Sequence, residues 1–260
     1  MGGYILPFPY HTQQTKVNHM TKYGVSLLSG GLDSTTVTTQ AINEVDDITA
    51  LTFHYNQLGY REIACSELVT NSLGIEHIII DISSVKDLVN HSSLINPSLV
   101  NGSNFEQQNN KPNIPMTYVP MRNTIFISLA AAFLENRILQ SIEKHGSHPE
   151  EMVAKIFLGA NVVDFSGYPD CRPDFFSRME HAICYGSKLY IEYGIKIEII
   201  NPILNLSKAQ IIKLGKELDA PIHLTWSCYQ EGNEPCGACE SCKIRSSGFE
   251  QAGFQDLTQP

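Results

Sequence analysis

The sequence lacks an excess of positive charge. Eighteen Lys and Arg residues stand against 27 Asp and Glu among 260 residues, a formal net charge of -9. Binding along a nucleic acid backbone needs clustered basic residues that neutralise phosphates. The charge balance therefore argues against a broad nucleic-acid interface, and we expect the partners to be small-molecule substrates and no nucleic acid.

The sequence also lacks an apolar run that could span a bilayer, which needs about 20 residues. Its longest run, Ile125 to Leu134, is short and contains Ser128. Residues 1–22 have no sustained apolar segment of the kind that a signal peptide requires. We expect a cytoplasmic protein with no membrane partner, in which residues 1–22 form an N-terminal extension. In that reducing compartment, the seven cysteines favour metal ligands or free thiols over disulfides.

The chain does contain β-branched runs that alternate with helical patterns, which is typical of an α/β protein. Continuous apolar strands separated by helices predict an open, mostly parallel sheet with helices on both faces. Ligands of such sheets bind at the edge where the strands end. The predicted strands are Tyr23–Leu28, Ile48–Tyr55, His77–Ile82, Lys155–Ala160 and Lys196–Asn201.

Helices are predicted from about Asp33, over Arg61–Leu73 and over Thr124–Ile142. A further helix should begin at Ser207, because Ser207 and Gln210 have capping-box spacing. The stretch Asn96–Asn113 is rich in Asn, Gln and Ser, and it predicts a long loop that could act as a lid.

A glycine loop follows the first predicted strand and opens the first helix, with the sequence Ser29-Gly30-Gly31-Leu32-Asp33-Ser34-Thr35. Backbone amides and the helix dipole at such a position bind anions. A Walker-type loop would carry a lysine before its final Ser or Thr, and this loop has none. The alternative is an ordinary strand–helix turn that needs glycine for its backbone conformation.

The C-terminal part is rich in cysteine, with Cys228, Cys236, Cys239 and Cys242 in one short stretch. Two overlapping C-x-x-C steps and a fourth cysteine upstream can enclose one zinc ion in a tetrahedral thiolate cage. Four thiolates leave no open coordination position, so the predicted site is structural. We place this zinc-binding tail at residues 221–260 and the α/β domain at residues 23–220.

The loop Ser-Gly-Gly-x-Asp-Ser resembles that of the PP-loop ATP pyrophosphatases, whose loop holds the β- and γ-phosphates while ATP is cut between α and β. Further blocks narrow the resemblance: TYVPMRN at Thr117–Asn123, DFSGYPDCRPDFF at Asp164–Phe176, LSKAQIIKLG, and LTWSCY followed by CGACESCKIR. In this order they are similar to the 7-cyano-7-deazaguanine (preQ0) synthase family over about Tyr23 to Gly253.

The resemblance implies the PP-loop nucleotide-binding fold, magnesium-ATP, one structural zinc ion and a homodimer. It also implies a reaction of queuosine biosynthesis, in which 7-carboxy-7-deazaguanine, ammonia and two ATP give the nitrile, two AMP and two pyrophosphate. The absent Walker lysine fits this reaction, because adenylation breaks the bond between the α- and β-phosphates.

The resemblance also suggests roles for residues. The segment Leu28, Ser29, Gly30, Gly31, Leu32, Asp33, Ser34, Thr35, Thr36, Val37 and Thr38 would hold the phosphates. Catalytic candidates are Asp33, Arg122, Asp170 and Arg172, and substrate-binding candidates are Tyr168, Asp170 and Arg172. Asp33 would assist magnesium or act as a helix N-cap. Arg122 would bind a phosphate or the substrate carboxylate, unless it is a solvated or salt-bridged arginine. The Tyr168–Arg172 stretch is also good turn sequence.

One block departs from the family, which has Phe-Asp-Tyr-Gly-Gln-Arg-His where this chain has Phe53-His54-Tyr55-Asn56-Gln57-Leu58-Gly59. Arg61 is a candidate substitute for the missing Arg-His pair. Two other functions stay open: a PP-loop enzyme that modifies tRNA, and a regulator that binds nucleotide without turnover. A thioester on Cys171 is an alternative to adenylate chemistry alone.

Overall fold

The fold is a five-stranded parallel sheet with the strand order β3-β2-β1-β4-β5. The computed structural model describes residues 20–55, 60–87, 89, 92, 114, 117–163, 167–230, 232 and 234–258. The strands are β1 Thr21–Leu27, β2 Asp47–His54, β3 Glu76–Asp81, β4 Met152–Phe157 and β5 Ile197–Ile200. The predicted α/β class and parallel sheet are confirmed.

Helices cover both faces of the sheet, as the sequence predicts. They are α1 Leu32–Ile42, α2 Tyr60–Leu73, α3 Arg122–His145, α4 Pro173–Gly186, α5 Lys188–Tyr193, α6 Lys208–Glu217 and α7 Glu240–Ala252. One core cluster joins the sheet to α3, α4 and α5, and a second joins it to α1, α6 and α7. The capping box at Ser207 and Gln210 is present at the start of α6.

The predicted strands agree with the observed ones to within about three residues, and β4 differs most. It pairs with β1 from Met152 to Phe157, and Leu158 to Ala160 lie beyond its end. A side chain at Gly159 would have its Cβ atom 3.0 Å from the Ser34 backbone nitrogen. Only glycine allows the chain after β4 to pass so close to α1.

The order in which the chain adds strands to the sheet reverses between β1 and β4. The chain runs from β1 to β2 and β3 on one side, and then returns to β4 and β5 on the other. Loops that follow β1 and β4 therefore leave on opposite faces and open a crevice between them, which is where ligands of open α/β sheets bind. The glycine loop and residues 158–161 lie at this crevice.

Contrary to the expectation from the sequence, helix α3 is long and apolar enough to cross a bilayer by length and composition alone, and 28% of its most apolar 18 residues are buried. Its buried face includes Ile127, Leu134 and Ile138, which pack into the core of the sheet. One face of α3 is therefore packed in the core. Residues 1–19 and the predicted loop Asn96–Asn113 lie outside the described residues.

Candidate active site

A cavity of about 310 Å³ lies at the carboxyl ends of β1 and β4. This volume falls within the range of small-molecule sites. Its walls come from elements that are far apart in the chain: the glycine loop with the first turn of α1, the end of β2, the first turns of α2 and α3, residues 158–161, Tyr168 and Cys171, Lys208, residues 226–229 and part of α7.

The glycine loop is shaped by a backbone conformation and a close contact that both demand glycine. Gly30 has a φ of +83°, and a Cβ atom there would lie 2.0 Å from the backbone oxygen of Glu62. The loop therefore packs directly on the first turn of α2. Gly31 is the N-cap of α1, so the alternative in which Asp33 is the N-cap is wrong.

The predicted phosphate-binding segment divides into two parts. Leu28, Ser29, Gly31, Leu32, Asp33 and Ser34 line the cavity, whereas Gly30 and Thr35 to Thr38 do not. The Thr36 and Thr38 hydroxyls are buried and donate to the helix carbonyls of Leu32 and Ser34. These side chains fix the first turns of α1, and the residues before them provide the surface that faces a ligand.

The hydroxyls of Ser29 and Ser34 form hydrogen bonds within the glycine loop. The Oγ atoms of Ser29 and Ser34 lie 2.9 Å apart, and the Ser34 Oγ also accepts the Ser29 backbone N–H. The Gly31 N–H donates to the Ser29 hydroxyl at 3.2 Å. These hydrogen bonds hold the Ser29 and Ser34 hydroxyls together at the start of α1.

An ion pair closes one end of the cavity. The Lys208 Nζ atom lies 2.6 and 2.7 Å from the two carboxylate oxygens of Asp33, and both side chains are largely buried. A Walker loop carries its own lysine, but here a lysine reaches the loop from α6. Sequence reasoning did not select Lys208, although the capping box placed it at a helix N-terminus.

Charged and aromatic groups line the other end of the cavity, which we call the aromatic end and define by Tyr55, Glu62, Arg122, Tyr168 and Tyr229. The Arg122 guanidinium donates to the Tyr55 hydroxyl and lies near Asp170. Burial raises the pKa of Glu62 from 4.5 to about 7, and the positive charge of Arg122 opposes that rise. Arg122 lines the cavity, which disfavours a solvated surface position, and the charge of Asp170 beside it agrees with the salt-bridged alternative.

The stretch from Tyr168 to Arg172 places its side chains in different directions. Tyr168 lines the cavity and its hydroxyl bonds to Thr117. Asp170 is 5% exposed and is not among the cavity-lining residues; its carboxylate accepts the Asn123 backbone N–H at 3.1 Å. Arg172 is the exposed N-cap of α4, away from the cavity wall. Contact of Asp170 or Arg172 with substrate stays a prediction.

Cys171 lines the cavity but is 4% exposed. Burial raises the pKa of its thiol to about 11, and the Asn123 side-chain amide lies 3.5 Å from the sulfur. The nucleophile of a cysteine enzyme is the thiolate. Near neutral pH this group is a thiol, which disfavours the thioester alternative.

The cysteine cluster has the geometry of a metal site. The sulfurs of Cys228, Cys236, Cys239 and Cys242 all lie within 4.8 Å of one another. Zinc–sulfur bonds of about 2.3 Å in a tetrahedron put sulfurs about 3.8 Å apart, close to this spacing. Backbone N–H groups of Cys236, Cys239 and Cys242 also point at cluster sulfurs, at 3.3 to 3.4 Å. The donor set therefore fits a tetrahedral ion that prefers thiolates.

The cysteine-rich segment is joined to the glycine loop. The Trp226 backbone N–H donates to the Gly30 carbonyl at 2.9 Å, and the Trp226 indole N–H donates to the Cys228 carbonyl at 2.9 Å. Arg245, 5% exposed, donates to Thr225, Ser227 and Asp256 and so holds α7 against this segment. Trp226 is buried and packs against Cys228 and Cys242, so it anchors the cysteine-rich segment.

Comparison with known proteins places these features in a family. The family model described as "Queuosine biosynthesis protein QueC" matches residues 23–253. The 7-cyano-7-deazaguanine synthase of Thermoplasma volcanium is 40% identical over 239 residues, which cover 91% of this chain and 90% of that protein. The protein of the same name from Acetivibrio thermocellus is 40% identical over 90% of this chain and 96% of its own length.

Among solved structures, a 4-thiouridine synthetase–RNA complex with bound ATP aligns with 91% of this chain and 51% of that chain, at a TM-score of 0.40 and 14% identity. That likeness is too weak to bear on function. The match of the family model spans the glycine loop, the aromatic end and the cysteine cluster, and the relatives cover nine-tenths of the chain. The chain belongs to the QueC family of queuosine biosynthesis proteins.

Proposed function

We propose that this chain is a 7-cyano-7-deazaguanine synthase, which joins 7-carboxy-7-deazaguanine and ammonia into the nitrile and converts two ATP into two AMP and two pyrophosphate. The observation that carries the proposal is the single cavity in which a lysine-free glycine loop faces Arg122, Tyr168 and Glu62. Such a cavity can hold the nucleotide and an aromatic acid side by side.

The reaction needs activation because ammonia cannot displace oxide from a carboxylate. The substrate carboxylate attacks the α-phosphorus of ATP, pyrophosphate leaves, and an acyl adenylate forms. Ammonia then displaces AMP to give the amide. The amide oxygen attacks the α-phosphorus of a second ATP, and loss of AMP and a proton forms the C≡N bond. One site serves both halves, since each begins with a substrate oxygen attacking phosphorus.

The glycine-loop end supplies the nucleotide site. The N–H groups at the start of α1 and the Ser29 and Ser34 hydroxyls would bind the β- and γ-phosphates, which the helix dipole also favours. The Asp33 carboxylate would hold magnesium in place of its ion pair with Lys208. The freed ammonium group of Lys208 would then bind the leaving pyrophosphate. Each group neutralises charge that develops as the bond to pyrophosphate breaks.

The aromatic end supplies the substrate site. Arg122 would pair with the substrate carboxylate and orient one of its oxygens toward the α-phosphorus. Tyr168 would bind the ring beside it. Asp170 lies close to Arg122 and bonds the first turn of α3 through Asn123, so we assign it the positioning of Arg122. Arg172 stays a candidate for substrate contact without a structural argument of its own.

Zinc would be held by Cys228, Cys236, Cys239 and Cys242, whose spacing and thiol donors fit it. It supplies a structural crosslink, with all four positions taken by protein sulfur. We further propose that the protein acts in the cytoplasm as a homodimer, and that its partners are small molecules.

The test is product analysis of purified, zinc-loaded protein with magnesium-ATP, ammonium and 7-carboxy-7-deazaguanine, by mass spectrometry and phosphorus NMR. We expect the nitrile, with AMP and pyrophosphate formed in equal amounts. ADP and phosphate as products would overturn the proposal. Turnover of ATP that depends on tRNA and not on the deazaguanine would favour a tRNA-modifying enzyme instead.

A further inference from the structure

Glu62 is a carboxylate that the cavity isolates from donors. It lies in the first turn of α2, lines the aromatic end, and has no hydrogen bond to its side chain in the part of the chain that the structure describes. The charged or titratable groups around it are Arg122, Tyr55, Tyr229 and Cys65. A desolvated carboxylate without donors is costly, so a protein that keeps one at a ligand site has a use for it.

Arg122 does not donate a hydrogen bond to Glu62. Its guanidinium donates to the Tyr55 hydroxyl, and its charge is shared with Asp170. The interaction of Arg122 with Glu62 is one of charge without a hydrogen bond. Among the described residues no donor bonds the Glu62 oxygens, which leaves them acceptor capacity for a ligand in the cavity.

The proposed substrate carries the matching donors. The ring N–H and the neighbouring exocyclic amino group of a 7-deazaguanine lie on one edge and present two nearly parallel N–H bonds, while its carboxylate lies on the other ring. A carboxylate accepts such a pair through both oxygens. The ring would then extend from Glu62 toward Arg122, between the aromatic walls that Tyr55, Tyr168 and Tyr229 provide.

We propose that Glu62 is the specificity residue for the substrate ring, and that its two oxygens accept the ring N–H and the exocyclic amino group. The proposal rests on the proposed function and deepens it. Asp170 is the residue that the sequence suggests for this contact, but its carboxylate accepts the Asn123 N–H and it does not line the cavity. Glu62 occupies the position that such a contact requires.

The experiment compares two ligands, 7-carboxy-7-deazaguanine and the analogue that lacks the exocyclic amino group. Calorimetric affinities and kcat/KM values are measured for both with the wild-type protein, Glu62→Gln and Glu62→Asp. We expect the wild type to prefer the amino compound by about 100-fold. With the analogue, one Glu62 oxygen would have no hydrogen-bond donor. Glu62→Gln should reduce that preference to within about threefold and leave the ATP affinity unchanged, and Glu62→Asp should keep part of it.

Glu67→Gln is the matched control, because Glu67 lies exposed on the same helix and does not line the cavity. Unchanged discrimination in Glu62→Gln would overturn the proposal. So would an equal loss of kcat for both ligands at unchanged affinity, which would indicate a proton-transfer role instead. If the wild type forms the nitrile but discrimination does not depend on Glu62, this proposal alone fails; if it neither binds nor converts either ligand, the proposed function fails with it.

Discussion

The backbone N–H of Trp226 donates a 2.9 Å hydrogen bond to the carbonyl of Gly30. This bond connects the segment that begins the cysteine cluster with the glycine loop in the cavity wall. Cys228 itself lines the cavity, two residues further on. The cysteine cluster and the glycine loop are therefore joined by a direct contact, and a change at the cluster should alter ligand binding.

Loss of the metal should weaken ATP binding as well as folding. Cys239→Ser removes one of the four sulfurs, and Cys239 is also the N-cap of α7. We expect zinc content to fall well below one per chain and the free energy of unfolding to fall by about 3 kcal/mol or more, which lowers Tm by about 6–12 °C. Calorimetry should show ATP affinity reduced at least about tenfold.

The control for this variant is Cys184→Ser. Cys184 is buried and lies outside the cluster, where its thiol lies near the Ile197 carbonyl. It should retain zinc and full ATP affinity. Full ATP affinity in folded, zinc-free Cys239→Ser would contradict the link between the two sites.

The Asp33–Lys208 pair should matter for catalysis more than for stability. Asp33→Asn removes the proposed magnesium ligand, and Lys208→Met removes the cation that would bind pyrophosphate. Each change should lower kcat/KM for ATP by about 100-fold or more, the scale of one preorganised charge-stabilising contact. The magnesium concentration at half-maximal rate should rise in Asp33→Asn only.

Asp46→Asn is a suitable control for this pair, because Asp46 lies in the turn between α1 and β2, where its carboxylate accepts the Lys22 N–H, and it does not line the cavity. It should leave the ATP kinetics unchanged. If Asp33→Asn and Lys208→Met lower Tm equally but keep wild-type ATP kinetics, the pair is only a structural salt bridge.

Glu62 should make the ligand-free protein less stable as the pH rises. Its pKa is raised from 4.5 to about 7 by burial, so between these values the folded state keeps a proton that the unfolded state releases. Stability is then lost as pH rises through this window, by up to about 3 kcal/mol above pH 7. Glu62→Gln should therefore be more stable than the wild type at pH 8 and equal to it near pH 4.5.

Thermal unfolding at several pH values between 4.5 and 8 tests this directly. Glu67→Gln is the control, and its difference in stability from the wild type should not change with pH. A Glu62→Gln protein that is less stable than wild type at pH 8 would show that Arg122 holds Glu62 in a favourable ion pair. In that case the carboxylate would not be isolated in the empty cavity.

Cys171 should be dispensable for the chemistry. Burial raises its pKa to about 11, so it is protonated at neutral pH, and ATP already provides the activation. Cys171→Ala should keep kcat within about threefold while losing some stability from the vacated volume. Mass spectrometry of the wild type during turnover should show no covalent acyl-enzyme. A complete loss of nitrile formation in folded Cys171→Ala would contradict this.

Local patterns were enough to predict the sheet and its helices. The apolar strands and the capping box at Ser207 depend on neighbouring residues, and these agree with the structure. The cysteine spacing likewise predicted a cluster that the fold brings together. Each of these features depends on a short stretch of sequence, and the rest of the chain is not needed to predict it.

Contacts between distant parts of the chain could not be predicted in the same way. Lys208 reaches Asp33 across 175 positions, and only the packing of α6 beside α1 brings them together. The sequence also could not show which side chains of the turn at Tyr168–Arg172 face the cavity. In a turn, the direction of each side chain depends on the backbone angles of that residue, and these follow no regular period. The packing of α2 against Gly30 brings Glu62 to the cavity, and no local pattern of the sequence indicates that contact.

The most direct test of the central claim uses 7-carboxy-7-deazaguanine labelled with ¹⁸O at both carboxylate oxygens. If each half of the reaction begins with a substrate oxygen attacking the α-phosphorus, each nitrile should be accompanied by two AMP molecules that carry one ¹⁸O apiece. Pyrophosphate should carry none. Label in phosphate or pyrophosphate, or unlabelled AMP beside labelled water, would contradict adenylation in this cavity.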